Sequence, residues 1–260
     1  MDTNGNVKTA GRTLDVFETF EAVRRPLSLS ELARNLDIPV SSCHALVRTL
    51  KGRGYLYAVG ERGLYPTRRI LGLARTIAAH DPLLERLAPH LKALRDATGE
   101  TVLLGKRQDG AVVYLDVVEG PQTIRYTAQP GDLKPLHSSA IGKAMLGECG
   151  EAELGRLLAS LPMPCVTPAT VTDAARLMDE IRAGRAAGLY VTRGENVPDV
   201  MALAASVRVN DEPYGIAVAG PLGRVDAAQD SIAAALRAAI DRIREGEGMH
   251  DRRSPAGGAS

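Results

Sequence analysis

The chain is expected to fold as an α+β protein: an N-terminal winged helix-turn-helix, a linker helix, and a C-terminal α+β domain with a largely antiparallel sheet. Three observations predict this. Residues 28–53, SLSELARNLDIPVSSCHALVRTLKGR, hold two short stretches of helical apolar periodicity separated by Asp37 and Pro39. Residues 55–67 are two β-prone runs around Gly60-Glu61-Arg62-Gly63, which suits a hairpin turn. From Glu100 onward strand-like runs, helical stretches, more strand-like runs and a closing helical stretch follow one another.

Each element has a local reason. Between Arg12 and Val23, the residues Leu14, Phe17, Phe20 and Val23 form an apolar stripe, so a helix should cover the back of the helix-turn-helix. Ser28 followed by Glu31 is a capping box that opens the next helix. Leu32, Ala33 and Leu36 share one of its faces. Pro39, Ser41 and Ser42 restart the chain as a second helix whose Leu46, Val47 and Leu50 point inward. The wing strands are expected at Tyr55 to Val59 and Leu64 to Thr67.

Residues 68–80 read as helix, and Pro82 breaks the pattern before a second helical stretch reaches Gly99. Strands are expected at 100–108, 111–120 and 122–131, helices near 139–146, 151–160 and 172–187, strands at 189–194, 200–209 and 214–222, and a last helix at about 226–245. The domains are then 10–75 for the winged helix-turn-helix, 76–96 for the linker helix and 97–246 for the α+β domain, with a disordered tail at 247–260.

The second helix of the motif points outward with Ser41, Ser42, His44, Arg48 and Lys51, short polar groups and cations suited to base edges and phosphates. Arg62 sits at the wing tip, where it can reach a phosphate or the minor groove. A helical hairpin from any α-rich protein carries similar caps and periodicity, and His44 can equally be a plain surface residue. The hairpin that follows favours the winged helix and double-stranded DNA.

Charge supports this. The whole chain of 260 residues has a net charge of only +1. Residues 1–80, however, carry 12 Lys and Arg against 7 Asp and Glu, a net +5, while residues 81–260 carry 20 against 24, a net −4. The positive field lies at the helix-turn-helix end, as phosphate attraction requires.

Three cysteines, Cys43, Cys149 and Cys165, are too scattered for a disulfide framework or a metal site, which fits a reduced cytoplasm. No apolar run approaches membrane-spanning length, and MDTNGNVKTAGR lacks the apolar core of a signal peptide. Five histidines, at 44, 80, 90, 137 and 250, show no ligand spacing, so neither metal nor cofactor is expected. A redox sensor built on Cys43 competes with a buried structural thiol, and the neighbouring apolar positions favour the latter. An enzyme fused to a helix-turn-helix is the competing class. It would need a nucleophile with a base in reach, and His137 with Ser138 and Lys143 is the nearest approach to one.

From about Arg12 to Arg244 the chain resembles the IclR family of bacterial transcription regulators. The resemblance rests on PLSLSELARNLDIP followed by a serine pair, on RTL, GY and Tyr65, on LHSSAIGKAML at 136–146, on AGLYVTRGEN, and on GIAVAGPLGR. It implies a DNA-binding homodimer or dimer of dimers whose C-terminal domain binds a small effector, commonly an organic or aromatic acid. Positions matching Ala140 and Ile141 are implied to bind the acid through backbone N–H groups, with Gly142 beside them. A Ser-Ser-Ala-Ile-Gly entry to a helix is in itself a ready carboxylate site. Small residues that only permit close packing, with Lys143 solvated, are the plainer alternative.

Departures from the family pattern bear on the ligand. The family's frequent cysteine is Ala202 here and its proline is Ser206; Ala217 and Ala219 replace polar residues, Thr192 replaces an acid, and Glu195 remains. In the recognition helix a frequent arginine is Ala45. A pocket of Ala140, Ile141, Gly142, Thr192, Val200, Ala202 and Ala217 has few polar partners, which favours a larger or more apolar acid over a glyoxylate-like one. A degenerate pocket without a ligand is the other reading.

Overall fold

The computed structural model describes residues 7–251 and divides into two compact units, at Asp81 and Pro82. In the first unit α1 (Lys8–Val23) precedes α2 (Leu29–Asn35) and α3 (Val40–Gly52), and β1 (Leu56–Val59) pairs antiparallel with β2 (Gly63–Pro66). The capping box forms as expected. Ser28 Oγ accepts from the Glu31 amide, and Glu31 Oε2 accepts from the Ser28 amide at 2.8 Å. Those bonds, with Arg25 beside them, hold the Glu31 carboxyl down to about 2.

The wing gains a third partner that the sequence reading did not include. Leu27 bridges Leu64 through two backbone hydrogen bonds of 3.1 and 2.8 Å, tying the entry of α2 to the wing. The core is Val16, Phe20, Leu27, Leu32, Ala33, Cys43, Val47, Leu50, Leu56 and Leu64, closed by Tyr65 edge-on to Phe20 at 5.7 Å. Cys43 is the buried structural thiol. The expected stripe on α1 is partly corrected: Phe20 is buried and Phe17 and Val23 pack beside it, but Leu14 is 62% exposed and Val16 faces inward in its place. Two residues turn a helix by about 200°, so Leu14 and Val16 cannot share a face. The helix α4 (Arg69–Ala79) then completes the unit without one buried side chain.

The second unit opens with α5 (Pro82–Thr98), most of which falls in the segment 76–96 assigned to the linker. Its Leu87, Leu91 and Leu94 are buried in the core of this unit. A six-stranded sheet follows, ordered β5-β4-β3-β8-β7-β6, with antiparallel neighbours throughout. Its strands are β3 (Thr101–Gln108), β4 (Ala111–Val118), β5 (Leu133–Pro135), β6 (Tyr190–Arg193), β7 (Val200–Val209) and β8 (Glu212–Pro221). The β7 to β8 turn places Asn210 and Asp211 at positive φ, as a two-residue hairpin demands.

Alternation along the strands feeds two cores. Leu103, Ala202, Ala204, Ala217 and Ala219 face α6 (Ala140–Gly147), α7 (Glu151–Ser160) and α8 (Ala174–Ala187). Val102, Leu104, Met201, Leu203, Ile216 and Val218 face α5, α9 (Leu222–Ala227) and α10 (Gln229–Asp251).

Three expectations are corrected. Residues 122–131 form no strand; Ile124 is 74% exposed, and the edge of β4 is taken by β5. Pro121 and Pro130 bracket that segment, and although Tyr126 and Ala128 pack on the α6 side of the sheet, no neighbouring strand pairs with it. The chain after β8 folds as α9 before the last helix begins. That helix runs on to Asp251, so the assigned tail starts at least five residues too early, and residues 252–260 lie outside those described.

Candidate nucleic-acid interface and ligand cleft

On α3, His44, Arg48 and Lys51 recur at i, i+4 and i+7, which places them on one exposed face. The three-residue turn Gly60-Glu61-Arg62 between the paired Val59 and Gly63 carries Arg62 towards the same side. These four side chains, with Glu61, line one groove of about 350 Å³ between α3 and the wing. Ser41 and Ser42 lie one turn earlier and outside that groove, Ser41 exposed and Ser42 half-buried.

In the second unit, six of the seven expected effector residues come together. Ala140, Ile141, Thr192, Val200, Ala202 and Ala217 line one cleft with Leu103, Tyr114, Tyr126, Ser138, Ser139 and Ala219, and Asn196 and Val197 close one side. The cleft floor is the sheet, where Ala202 pairs with Ala219 and with Thr192. Its end is the first turn of α6. Ser139 caps that helix: its hydroxyl accepts from Gly142 N–H at 3.1 Å and donates to the Pro135 carbonyl at 2.7 Å. The N–H groups of Ala140 and Ile141 are the first two of the helix and have no carbonyl within it to bond.

Gly142 is the seventh, and it does not line the cleft. Its amide is already taken, and it is small for another reason. A Cβ there would lie 2.3 Å from the Leu136 carbonyl oxygen and 2.6 Å from Leu136 Cα. On the sheet side, Gly215 leaves room for Ile141, whose Cγ2 would be 2.5 Å from an added Cβ. Both glycines press the start of α6 onto its neighbours.

Lys143 is the residue the sequence reading placed worst. It is 2% exposed, and its Nζ lies 2.7 and 2.8 Å from the two oxygens of Glu195 and 2.7 Å from Glu180. One cation thus serves two carboxylates, and Arg176 supports Glu180 at 3.2 Å. Burial pushes the Glu195 carboxyl up despite the attraction of Lys143. The main chain beside it is fixed by Thr170 Oγ1 donating to the Glu195 carbonyl at 2.6 Å and Thr167 Oγ1 donating to the Gly194 carbonyl at 2.6 Å. Lys143 and Glu195 therefore tie α6 to the loop that supplies Asn196 and Val197. A lysine that follows glycine in a small-residue helix, with one acid kept downstream, was the available signal.

His137 donates from Nε2 to the Pro164 carbonyl at 3.0 Å, and burial pushes its pKa down. Ser138 Oγ is buried without a hydrogen-bond partner among the described residues, and no hydrogen bond joins it to the adjacent histidine. No group of three or more His, Cys, Asp or Glu among the described residues is placed to hold a metal ion. No helix among them is long and apolar enough to cross a membrane.

Comparison with known proteins agrees with this layout. Residues 9–60 match the IclR helix-turn-helix domain, and residues 75–245 match the C-terminal domain of bacterial IclR transcriptional regulators. The HTH-type transcriptional regulator BhcR of Paracoccus denitrificans is 32% identical over 93% of this chain and 87% of its own length. The transcriptional repressor IclR of Escherichia coli is 26% identical over 85% of this chain and 82% of its own. The crystal structure of Thermotoga maritima IclR shares the fold at 22% identity, with a TM-score of 0.79 over 94% of this chain and 100% of that one. So does an IclR homologue from Microbacterium hydrocarbonoxydans complexed with 4-hydroxybenzoate, at 22% identity and a TM-score of 0.67 over 88% and 99%. With a helix-turn-helix unit and an α+β unit both matched across most of the chain, the protein belongs to the IclR family of bacterial transcriptional regulators.

Proposed function

We propose that this regulator holds double-stranded operator DNA through the groove-lining His44, Arg48, Lys51 and Arg62, with Ser41 and Ser42 near the start of the recognition helix. A small carboxylic acid at the Ala140 and Ile141 amides modulates that hold. The observation that carries this reading is that residues scattered from 103 to 219 converge on one cleft closed by a helix N-terminus. Its alanine floor and the homologue bound to 4-hydroxybenzoate support an aromatic acid. The cleft volume is about 30 Å³, against about 150 Å³ for a cavity that admits benzene, so a ring enters only if part of the lining moves aside. In this reading the protein acts in the cytoplasm and is not an enzyme.

The test is DNA retardation with the protein's own upstream region, with and without small carboxylates. An effective acid should change the affinity by about 5- to 150-fold. Arg48→Ala should weaken binding, and if it removes a phosphate contact the slope of log affinity against log salt falls by roughly one unit. Absence of binding at low salt, with or without acids, would defeat the reading.

We infer further that the protein works as a homodimer or a dimer of dimers. On α4, Ile70, Leu73 and Ile77 lie on one face and are 40, 44 and 71% exposed, and Leu71 is 44% exposed. An eleven-residue helix with no buried side chain is marginal in water, so a second copy covering it accounts for its sequence. Light scattering at micromolar concentration should give at least twice the chain mass, and a monomer would count against this assignment.

A further inference from the structure

The serine pair before α6 is used unequally. Ser139 spends its hydroxyl on the helix cap. Ser138, also fully buried, lines the cleft with an Oγ that no described residue satisfies. A buried hydroxyl left unpaired opposes folding, so a chain that keeps one has a use for it outside the fold. Alanine at this position fills nearly the same volume without the polar group.

We propose that Ser138 is a specificity-determining ligand of the effector, donating its O–H to the anionic end beside the Ala140 and Ile141 amides. This rests on the acid-sensor reading above and names what that acid must offer. The donors are neutral: no lysine or arginine is among the residues lining the cleft, and the charge of Lys143 is occupied by Glu180 and Glu195. A site built from dipoles suits a singly charged carboxylate, whose two oxygens accept three or four hydrogen bonds. It does not suit a phosphate dianion, which needs a cation to repay its desolvation. Ser138 therefore supplies the third donor, and unlike the two fixed amides it can rotate to follow the ligand.

The experiment is calorimetric titration of the full chain, wild type and Ser138→Ala, with 4-hydroxybenzoate and with glyoxylate, alongside thermal unfolding without ligand. Ser138→Ala is expected to bind the preferred acid about 10- to 100-fold more weakly. Its unliganded melting temperature should stay level or rise, because an unsatisfied buried hydroxyl has gone. Unchanged affinity in Ser138→Ala overturns the role of Ser138 and leaves the acid-sensor reading standing. A loss of affinity accompanied by a lower unliganded melting temperature also overturns it, since the hydroxyl then serves the fold. If the wild type binds neither acid, the acid-sensor reading fails and takes this inference with it.

Discussion

Replacing Lys143 with methionine should destabilise the C-terminal unit by about 3–5 kcal/mol, the usual result of leaving a buried charge without its partner. For a unit of this size that is a fall in melting temperature of roughly 6–20 °C. Glu195 and Glu180 would face each other with no cation between them. The pH dependence gives the cause away. Burial already holds the Glu195 carboxyl above its ordinary value, and Lys143 is the group that pulls it down. Without Lys143 it rises further.

A carboxyl raised in the folded state contributes stability below its unfolded pKa, and that contribution is lost as pH climbs through the folded one. The deficit of Lys143→Met against wild type should therefore be larger at pH 7 than at pH 5. Denaturant unfolding at both values measures it, and an equal deficit at both would place the cause elsewhere. Adding Glu195→Leu should recover part of the loss.

Gly142→Ala is the second large effect. In an exposed helix the change would stabilise by about 0.5–1 kcal/mol. Here the new Cβ meets the Leu136 main chain, which cannot turn aside as a side chain can, so a net loss of about 1–3 kcal/mol is expected. The same clash displaces the first turn of α6, which ends the cleft, and affinity for a carboxylate should fall with it. Gly155→Ala in α7, where an added Cβ meets nothing within 4 Å, is the control and should stabilise. Chemical denaturation separates the two outcomes; equal stabilisation of both variants would show that α6 shifts freely.

Legibility in the sequence followed the range of the interactions. Ser28 and Glu31 are three residues apart, and their reciprocal hydrogen bonds could be named from that spacing alone. The paired runs on either side of Gly60 behaved likewise. Leu14 was misread because an apolar residue on α1 says nothing of which side the rest of the unit occupies. Residues 122–131 were misread because β propensity describes a half-buried surface, and that surface is present only where another strand presents it. At the cleft, the resemblance located Ala140, Ile141, Thr192, Val200, Ala202 and Ala217 together, which no local pattern would have done. Lys143, Glu180 and Glu195 span 52 residues, and only the packing of α6, α8 and the loop after β6 brings them to one point. Gly142 looked like a ligand residue for the same reason that it is a packing residue: small side chains serve both needs.

The alanine floor has a bearing on how such a protein diversifies. Ala202, Ala217 and Ala219 are side chains on paired strands, held in register by backbone hydrogen bonds that do not depend on what those side chains are. Serine, cysteine or valine at any of the three would change the lining of the cleft one group at a time, while the ladder beneath stayed as it is. Ligand preference can thus drift by single codon changes with the scaffold unaltered, and a lineage can exchange one effector for another without passing through an unfolded ancestor.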